Sequence, residues 1–378
     1  MPVKLAVPKE LALGERRVAM EPSVVKKLTA LGVEVLMQPG AGADAGFRDG
    51  DFVGARFADI ETLCAEADIV WRIQMPGAAE IAHLREGTVL IGGLNPYRNG
   101  ELVKQLAERK VTSFAMELIP RISRAQAMDI LSSQAAIAGY KAAIMGADLA
   151  CRFFPMLTTA AGTIRPSKVI VLGAGVAGLQ AIATARRLGA IVEGYDVRSA
   201  TKEQVKSLGA KFIELSIKAE GEGGYARELT AEEKQQQQQE LAGYIAQADV
   251  LITTAAVPGR PSPKIIPTST VEQMKSGAVI IDLAAEGGGN CELTRPGECY
   301  LHNGVVIHAP LNVPSQVPLH ASEMFAKNLL NFLTPMLDGG AFNPKWGDEI
   351  VAGALLTRDG EIVHAGVKKS IEGAQSRD

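Results

Sequence analysis

The chain has 378 residues, of which 47% are apolar, and a formal net charge of −3. That is enough apolar sequence for a sizeable core and enough length for two domains, and the slightly acidic balance excludes the basic footprint of a nucleic-acid binder. Cys64, Cys151, Cys291 and Cys299 are scattered without C-x-x-C or paired Cys/His spacing, so neither a metal site nor a disulfide framework is indicated, and a reducing cytoplasm fits.

The N-terminus enters a short strand without the hydrophobic region of a signal peptide, and apart from the weakly polar run 169–185, which is a glycine-rich strand–helix corner, no segment approaches a membrane span. Apolar runs at 4–8, 33–38, 69–73, 88–91 and 111–115 read as strands, with helical spacing at 22–31 and 100–109. This is α/β sequence, best accommodated by a parallel sheet. From 123 to 152 there is no proline and much alanine, which predicts one long helix of about 45 Å at 1.5 Å per residue. Its small residues would let backbone pack on backbone. Residues 156–164 read as a hairpin turned at Ala-Ala-Gly.

The strand 168–172 then runs into Gly173-Ala-Gly-Val-Ala-Gly178, a G-x-G-x-x-G turn opening a helix at 177–188. In such a corner Gly173 permits the tight turn, Gly175 lets backbone approach a pyrophosphate, and Gly178 lets helix pack on strand, with the phosphates at the helix N-terminus. The next strand, 190–196, ends in Asp196, 18 residues past Gly178, where a carboxylate can accept from ribose hydroxyls and repel a 2′-phosphate. That favours NAD(H) over NADP(H); Arg198, close by, is a residue type that can serve a 2′-phosphate. The alternative is a βαβ unit with no ligand.

Further strands at 211–215, 250–254, 278–283 and 305–308 bring this domain to six, which fits a doubly wound sheet of order 3-2-1-4-5-6. The long connection 216–248 carries Gly221-Glu-Gly-Gly-Tyr225, readable as a hinged lid with an aromatic tip or as a surface loop, and a glutamine run, 235–239, readable as a solvated helix face. A helical stretch at 321–334 is positioned to return the chain to the first domain, and 349–356 and 361–365 flank a hairpin signal at Asp359-Gly360. The fold class expected is therefore α/β, with two Rossmann-like parallel-sheet domains joined by long helices, the second binding the nucleotide. The expected division is 1–130 with 321–378, and 131–320.

The start of the long helix is crowded with polar side chains: Arg121, Arg124, Gln126, Asp129, Ser132, Ser133 and Gln134. On a helix Gln126, Asp129 and Ser133 share a face, with Ser132 beside it, a pattern able to hold a carboxamide and a ribose. The other reading is a solvated first turn with Ser123 as N-cap.

Four segments together resemble a known family: Arg121-Ile-Ser-Arg-Ala-Gln-Ala-Met-Asp-Ile-Leu-Ser-Ser-Gln134, the glycine-rich corner at Gly173, Asp196-Val-Arg-Ser-Ala-Thr-Lys-Glu-Gln-Val205 and Phe325-Ala-Lys-Asn-Leu-Leu-Asn-Phe-Leu-Thr334. They are similar to domain I of the proton-translocating NAD(P)+ transhydrogenases, whose wider relatives are the alanine dehydrogenases. The resemblance implies an NAD(H)-binding subunit that exchanges hydride with NADP(H) on a partner subunit. It also implies coupling to proton movement through an integral-membrane subunit, a homodimer, and a peripheral position on the cytoplasmic face of the inner membrane. It gives catalytic positions to Gln126, Asp129 and Arg121: Gln126 would position the nicotinamide, with Arg121, Asp129 and Ser132 around its amide, ribose and pyrophosphate. Gly175 and Val176 would meet the pyrophosphate, with Gly173 and Gly178 shaping the cofactor-binding turn, and Asp196 would meet the adenosine ribose, with Arg198 beside it. Gly224 and Tyr225 would form a mobile loop, Gln237 a further loop contact, and Ala256 would line the pocket.

Two other functions are compatible with the same cofactor residues: an alanine dehydrogenase and a non-catalytic NAD sensor. The alanine dehydrogenases use a lysine and a histidine where this chain has Gln74 and Asn95. Neither side chain can act as acid or base, as interconversion of amine and carbonyl requires.

Overall fold

The computed structural model describes residues 2–217, 230–256 and 261–375. The chain forms two compact units, Met1–Gln134 with Ser315–Asp378, and Ala135–Pro314.

The first unit is built on an eight-stranded sheet. Its order is Glu361–Ile362, Leu355–Arg358, Thr112–Ala115, Val89–Gly93, Ile69–Gln74, Lys4–Val7, Glu34–Met37 and Ala55–Phe57. The strands are parallel except at one edge, where Leu355–Arg358 lies antiparallel to both its neighbours. Side chains alternate across the pleat, so Ile69, Trp71 and Ile73 enter one core and Val70 the other. Helices cover both faces, as a buried parallel sheet requires. The longest of them wholly within the unit, Pro318–Leu333, puts Phe325, Leu329 and Phe332 into the first core. This helix lies wholly in the first unit, so it does not carry the chain across; the crossing comes before it, ahead of Ser315.

Two further differences from the sequence reading have local causes. Residues 349–354 are a helix capped by Asp348, and only Leu355 onward is strand. The hairpin turn is at Asp359-Gly360 as expected, both with positive φ (51° and 86°), as a two-residue turn of this hand demands. The short helices Ile60–Glu66 and Ala78–His83, of 7 and 6 residues, are too brief to show periodicity.

The expected thirty-residue helix is broken. Ser123–Met128 is a 3-10 segment, and the α-helix spans Ile130–Leu149. Asp129 between them is extended, with φ −75° and ψ 97°, and its carboxylate accepts from the Ser132 N–H (2.9 Å) and hydroxyl (2.6 Å). It is therefore Asp129, not Ser123, that caps this helix.

The second unit carries a seven-stranded sheet of order Lys211–Phe212, Ile191–Tyr195, Lys168–Leu172, Val250–Thr253, Val279–Asp282, Val305–His308 and Cys299–His302. The first six follow the 3-2-1-4-5-6 expectation. The seventh, Cys299–His302, is an antiparallel edge strand hairpinned onto Val305–His308 and was not anticipated. The helix from 135 onward packs closely through its small residues: a Cβ on Gly139 would lie 2.0 Å from the Ala177 carbonyl oxygen, and one on Gly146 2.8 Å from Val250. The expected hairpin is present as Leu157–Thr159 and Gly162–Ile164. The glutamine run lies on the helix Ala231–Ile245, opened by a capping box of Thr230 and Glu233.

Candidate functional site

In the second unit the central strand Lys168–Leu172 delivers the chain into the glycine-rich corner, and each glycine has a separate steric reason. Gly173 sits at φ +94°, and a Cβ there would be 2.5 Å from the Thr254 hydroxyl. At Gly178 a Cβ would fall 1.8 Å from the Gly173 carbonyl oxygen, so only glycine lets the helix Val176–Arg187 close onto the strand end. At Gly175 a Cβ would meet nothing within 4 Å, and its φ of −78° is unstrained. Its absent side chain leaves open space in front of the helix N-terminus, where Gly175 is the N-cap without a side-chain hydrogen bond and Val176 is exposed. Unpaired N–H groups, the positive end of the helix dipole and room for a ligand therefore coincide, an arrangement able to hold an anion.

The neighbouring strands border this corner. Sheet order reverses between Lys168–Leu172 and Val250–Thr253, and Thr254 at the switch point donates to the carbonyl oxygens of Leu172 (3.3 Å) and Gly173 (3.0 Å). Ala256, two residues on, is exposed. Asp196 follows the adjacent strand, its side chain only 6% exposed. Its carboxylate accepts from the Ala174 N–H (2.7 Å), the Arg198 N–H (2.9 Å) and both Nε and Nη2 of Arg198 (2.9 Å each). Burial pushes this carboxyl up, but the Arg198 guanidinium and the two backbone N–H groups outweigh it and hold it below the usual carboxylate range. Asp196 is thus tied to the glycine turn through Ala174, and Arg198 is paired with it.

In the first unit a pocket of about 430 Å³ is lined by Glu117, Arg121, Gln126, Asp129 and Ser132 among others. The crowded polar segment sorts itself by partner. Arg124 turns away to Asp348 (2.6 Å), Ser133 is buried against Asn328 (2.7 Å), and Gln134 accepts from Arg17 (2.9 Å). Since Gln126 lies in the 3-10 segment, the helical-face arithmetic that grouped it with Ser133 does not hold. What remains on the pocket wall is a cation, an amide, and a carboxylate bonded to a hydroxyl. Gln126 and Arg121 are exposed.

Sequence reasoning missed Glu117 in this wall. Its carboxylate accepts from the backbone N–H groups of Leu94 (3.3 Å) and Asn95, and burial raises its pKa to about 7 against those hydrogen bonds. The signal available was an acid directly after a strand end, which is common and uninformative alone. Gln74 donates from its amide to Glu15 (2.5 Å), and Asn95 is held at φ +44°. Gln237 is half-buried and its amide donates to the Ile217 carbonyl oxygen (3.4 Å). Gly224 and Tyr225, with the rest of the glycine-rich loop, lie outside the described residues.

Comparison with known proteins agrees over nearly the whole chain. Residues 6–138 match the family model "Alanine dehydrogenase/PNT, N-terminal domain", and residues 142–365 match "Alanine dehydrogenase/PNT, C-terminal domain". An NAD(P) transhydrogenase alpha-subunit chain of Rhodospirillum rubrum is 51% identical over 377 residues, covering 96% of this chain and 98% of that protein. Among solved structures, a transhydrogenase from Sinorhizobium meliloti superposes with a TM-score of 0.86 at 42% identity, covering 96% of this chain and 99% of its own. An L-alanine dehydrogenase superposes at 0.82 with 26% identity, covering 98% and 99%.

Proposed function

The chain belongs to the NAD(P) transhydrogenase alpha subunits of the alanine dehydrogenase/PNT family, and we propose that in such an enzyme it holds NAD(H) and exchanges hydride directly with NADP(H) held by a partner subunit. The observation that carries this reading is the corner at Gly175: open space at a helix N-terminus, beside an acid suited to ribose hydroxyls.

When bound, the nicotinamide supplies the hydride. The chain's own residues bind and orient. The N-terminus of Val176–Arg187 takes the pyrophosphate, with Gly173 and Gly178 setting the backbone path and Ala256 bordering it. Asp196 accepts from the adenosine ribose and, as a carboxylate, disfavours a 2′-phosphate; Arg198 fixes its orientation through the two guanidinium contacts. On the first unit, the Gln126 amide matches a carboxamide in both donor and acceptor, and Arg121, Asp129 and Ser132 supply charge and hydroxyl around it. Gly224 and Tyr225 are assigned contacts with the cofactor, and Gln237 a further contact from the helix Ala231–Ile245.

Hydride passing from one nicotinamide to another leaves no proton to be moved at the reacting carbons. Orientation and exclusion of water therefore carry the step, and no general acid or base is required. The amides at Gln74 and Asn95 agree with this and count against an amino-acid dehydrogenase. A non-catalytic NAD sensor has no observation of its own in its favour.

Proton translocation is assigned to a separate integral-membrane subunit, since among the described residues no helix is long and apolar enough to cross a membrane. The chain would then sit on the cytoplasmic face of the inner membrane through its partners. A homodimer is supported by the hairpin Leu157–Thr159 and Gly162–Ile164, where Ile164 is 46% and neighbouring Met156 65% exposed. Reconstitution tests the proposal: this chain mixed with the NADP(H)-binding subunit should reduce an NADP+ analogue at the expense of NADH, and neither component alone should do so.

A further inference from the structure

The strand Val250–Thr253 ends at the switch point, and just beyond it Ala255 lies against the glycine corner: a Cβ on Gly173 would be 3.4 Å from the Ala255 nitrogen. Past the end of a sheet a backbone loses its ladder partners and needs others. For Ala255 both come from one side chain. Asn290 Oδ1 accepts from the Ala255 N–H (3.0 Å), and Asn290 Nδ2 donates to the Ala255 carbonyl oxygen (2.7 Å) and to that of Pro263 (2.9 Å). The amide thus takes the place of a neighbouring strand, with its oxygen and both its N–H bonds engaged.

Asn290 is in turn held by its own backbone. It is 0% exposed, its N–H donates to Asp282 Oδ2 (2.8 Å), and its carbonyl oxygen accepts from the N–H groups of Ile265 (2.8 Å) and Ile266 (3.0 Å). Asp282, also 0% exposed, closes the strand that pairs with Val250–Thr253. Its carboxylate accepts in addition from the Thr253 hydroxyl (2.8 Å), the N–H groups of Ala284 (3.0 Å) and Cys291 (3.1 Å), and the Thr294 hydroxyl. The cluster is therefore anchored in the sheet, and its one side chain that reaches toward the corner is Asn290.

We infer that Asn290 is a positioning residue for the nucleotide: through Ala255 it fixes the exposed Ala256 as the wall of the glycine corner on the side of Val250–Thr253. The inference rests on the nucleotide reading of that corner given above. Asn290 is bonded behind Ala255 and acts only through the backbone it holds. A wall set in place before the ligand arrives spares binding the cost of ordering it.

NADH titration of Asn290→Ala tests this, beside Thr294→Val, which removes a donor to the same Asp282 carboxylate without touching Ala255. Both should lower the thermal midpoint. Asn290→Ala should weaken NADH binding by about tenfold, the size of a lost preorganisation, whereas Thr294→Val should bind as wild type does. With the NADP(H)-binding subunit, Asn290→Ala should raise KM for NADH and leave kcat at saturating NADH near wild type, the pattern of lost binding; a fall in kcat with unchanged KM contradicts the assignment. If Asn290→Ala is recovered unfolded, hydrogen exchange of the wild type decides: NADH should slow exchange in residues 250–256, and exchange there unchanged by saturating NADH overturns the inference. Wild-type affinity in a folded Asn290→Ala chain also overturns it, as does an equal loss of affinity in Thr294→Val, which would make the cluster a support of the fold alone. Failure of the wild type to bind NADH would instead refute the nucleotide reading, so the two failures are separable.

Discussion

Gly175 and Gly178 stand three residues apart in one turn, and alanine at each should have opposite consequences. At Gly178 the new Cβ would be 1.8 Å from the Gly173 carbonyl oxygen and 2.8 Å from its carbon. An ordinary carbon–oxygen contact is about 3.3 Å, so backbone must retreat by about 1.5 Å. Overpacking costs about 1–3 kcal/mol, and an obstacle made of backbone puts Gly178→Ala at the upper end. At about 2–4 °C per kcal/mol for a unit of this size, the midpoint should fall by about 6–12 °C. Gly175→Ala meets nothing within 4 Å and keeps an allowed backbone, so its cost is that of a poorer N-cap, under about 1 kcal/mol. Its methyl group, however, projects into the space assigned to the pyrophosphate. NADH binding should weaken at least about tenfold, about 1.4 kcal/mol. Circular dichroism melts and NADH fluorescence titration on the two variants separate the effects. A Gly175→Ala chain that melts near wild type and binds NADH with unchanged affinity would refute the assignment of that space.

Asp196→Ala should weaken NADH binding and narrow the preference over NADPH, read by paired titrations; wild type binding both equally would contradict the role of this acid. Glu117 has a folded-state pKa of about 7 against an ordinary 4.5, so between those values the folded chain holds a proton that the unfolded chain has lost. Stability should therefore fall as pH rises through that window, by at most about 3 kcal/mol, and Glu117→Gln should flatten the dependence of urea midpoints on pH; an equal slope in the variant would count against it. The chain should not oxidise NADH with pyruvate and ammonia, and appreciable turnover in that assay would overturn the reading of Gln74 and Asn95.

What the sequence made legible was local. Gly173, Gly175, Gly178 and Asp196 are fixed by one strand, one turn and the next strand, so spacing alone locates them, and six of the seven strands of the second sheet stand out as apolar runs between turn residues. The break at Asp129 was hidden because alanine-rich propensity favours one continuous helix, whereas a carboxylate that bonds Ser132 favours a new N-terminus; side-chain capping prevailed over propensity. The edge strands Ala55–Phe57 and Cys299–His302, of 3 and 4 residues, show too little alternation to be read. Arg198 was legible as a cation two residues from Asp196, but its closure onto that carboxylate depends on a rotamer. The hydrogen bonds of Gln74 to Glu15 and of Arg17 to Gln134 join residues 59 and 117 positions apart, and no periodicity encodes such contacts.

Direct transfer is the central claim, and an isotope label tests it. NADH deuterated at the transferable position of C4, mixed with this chain, its NADP(H)-binding partner and an NADP+ analogue in ordinary water, should yield a reduced analogue carrying the deuterium, with none lost to solvent. A reduced analogue carrying solvent protium would mean that the hydride passes through an exchangeable carrier, and no reduction at all would mean that this chain binds the nucleotide without taking part in the chemistry.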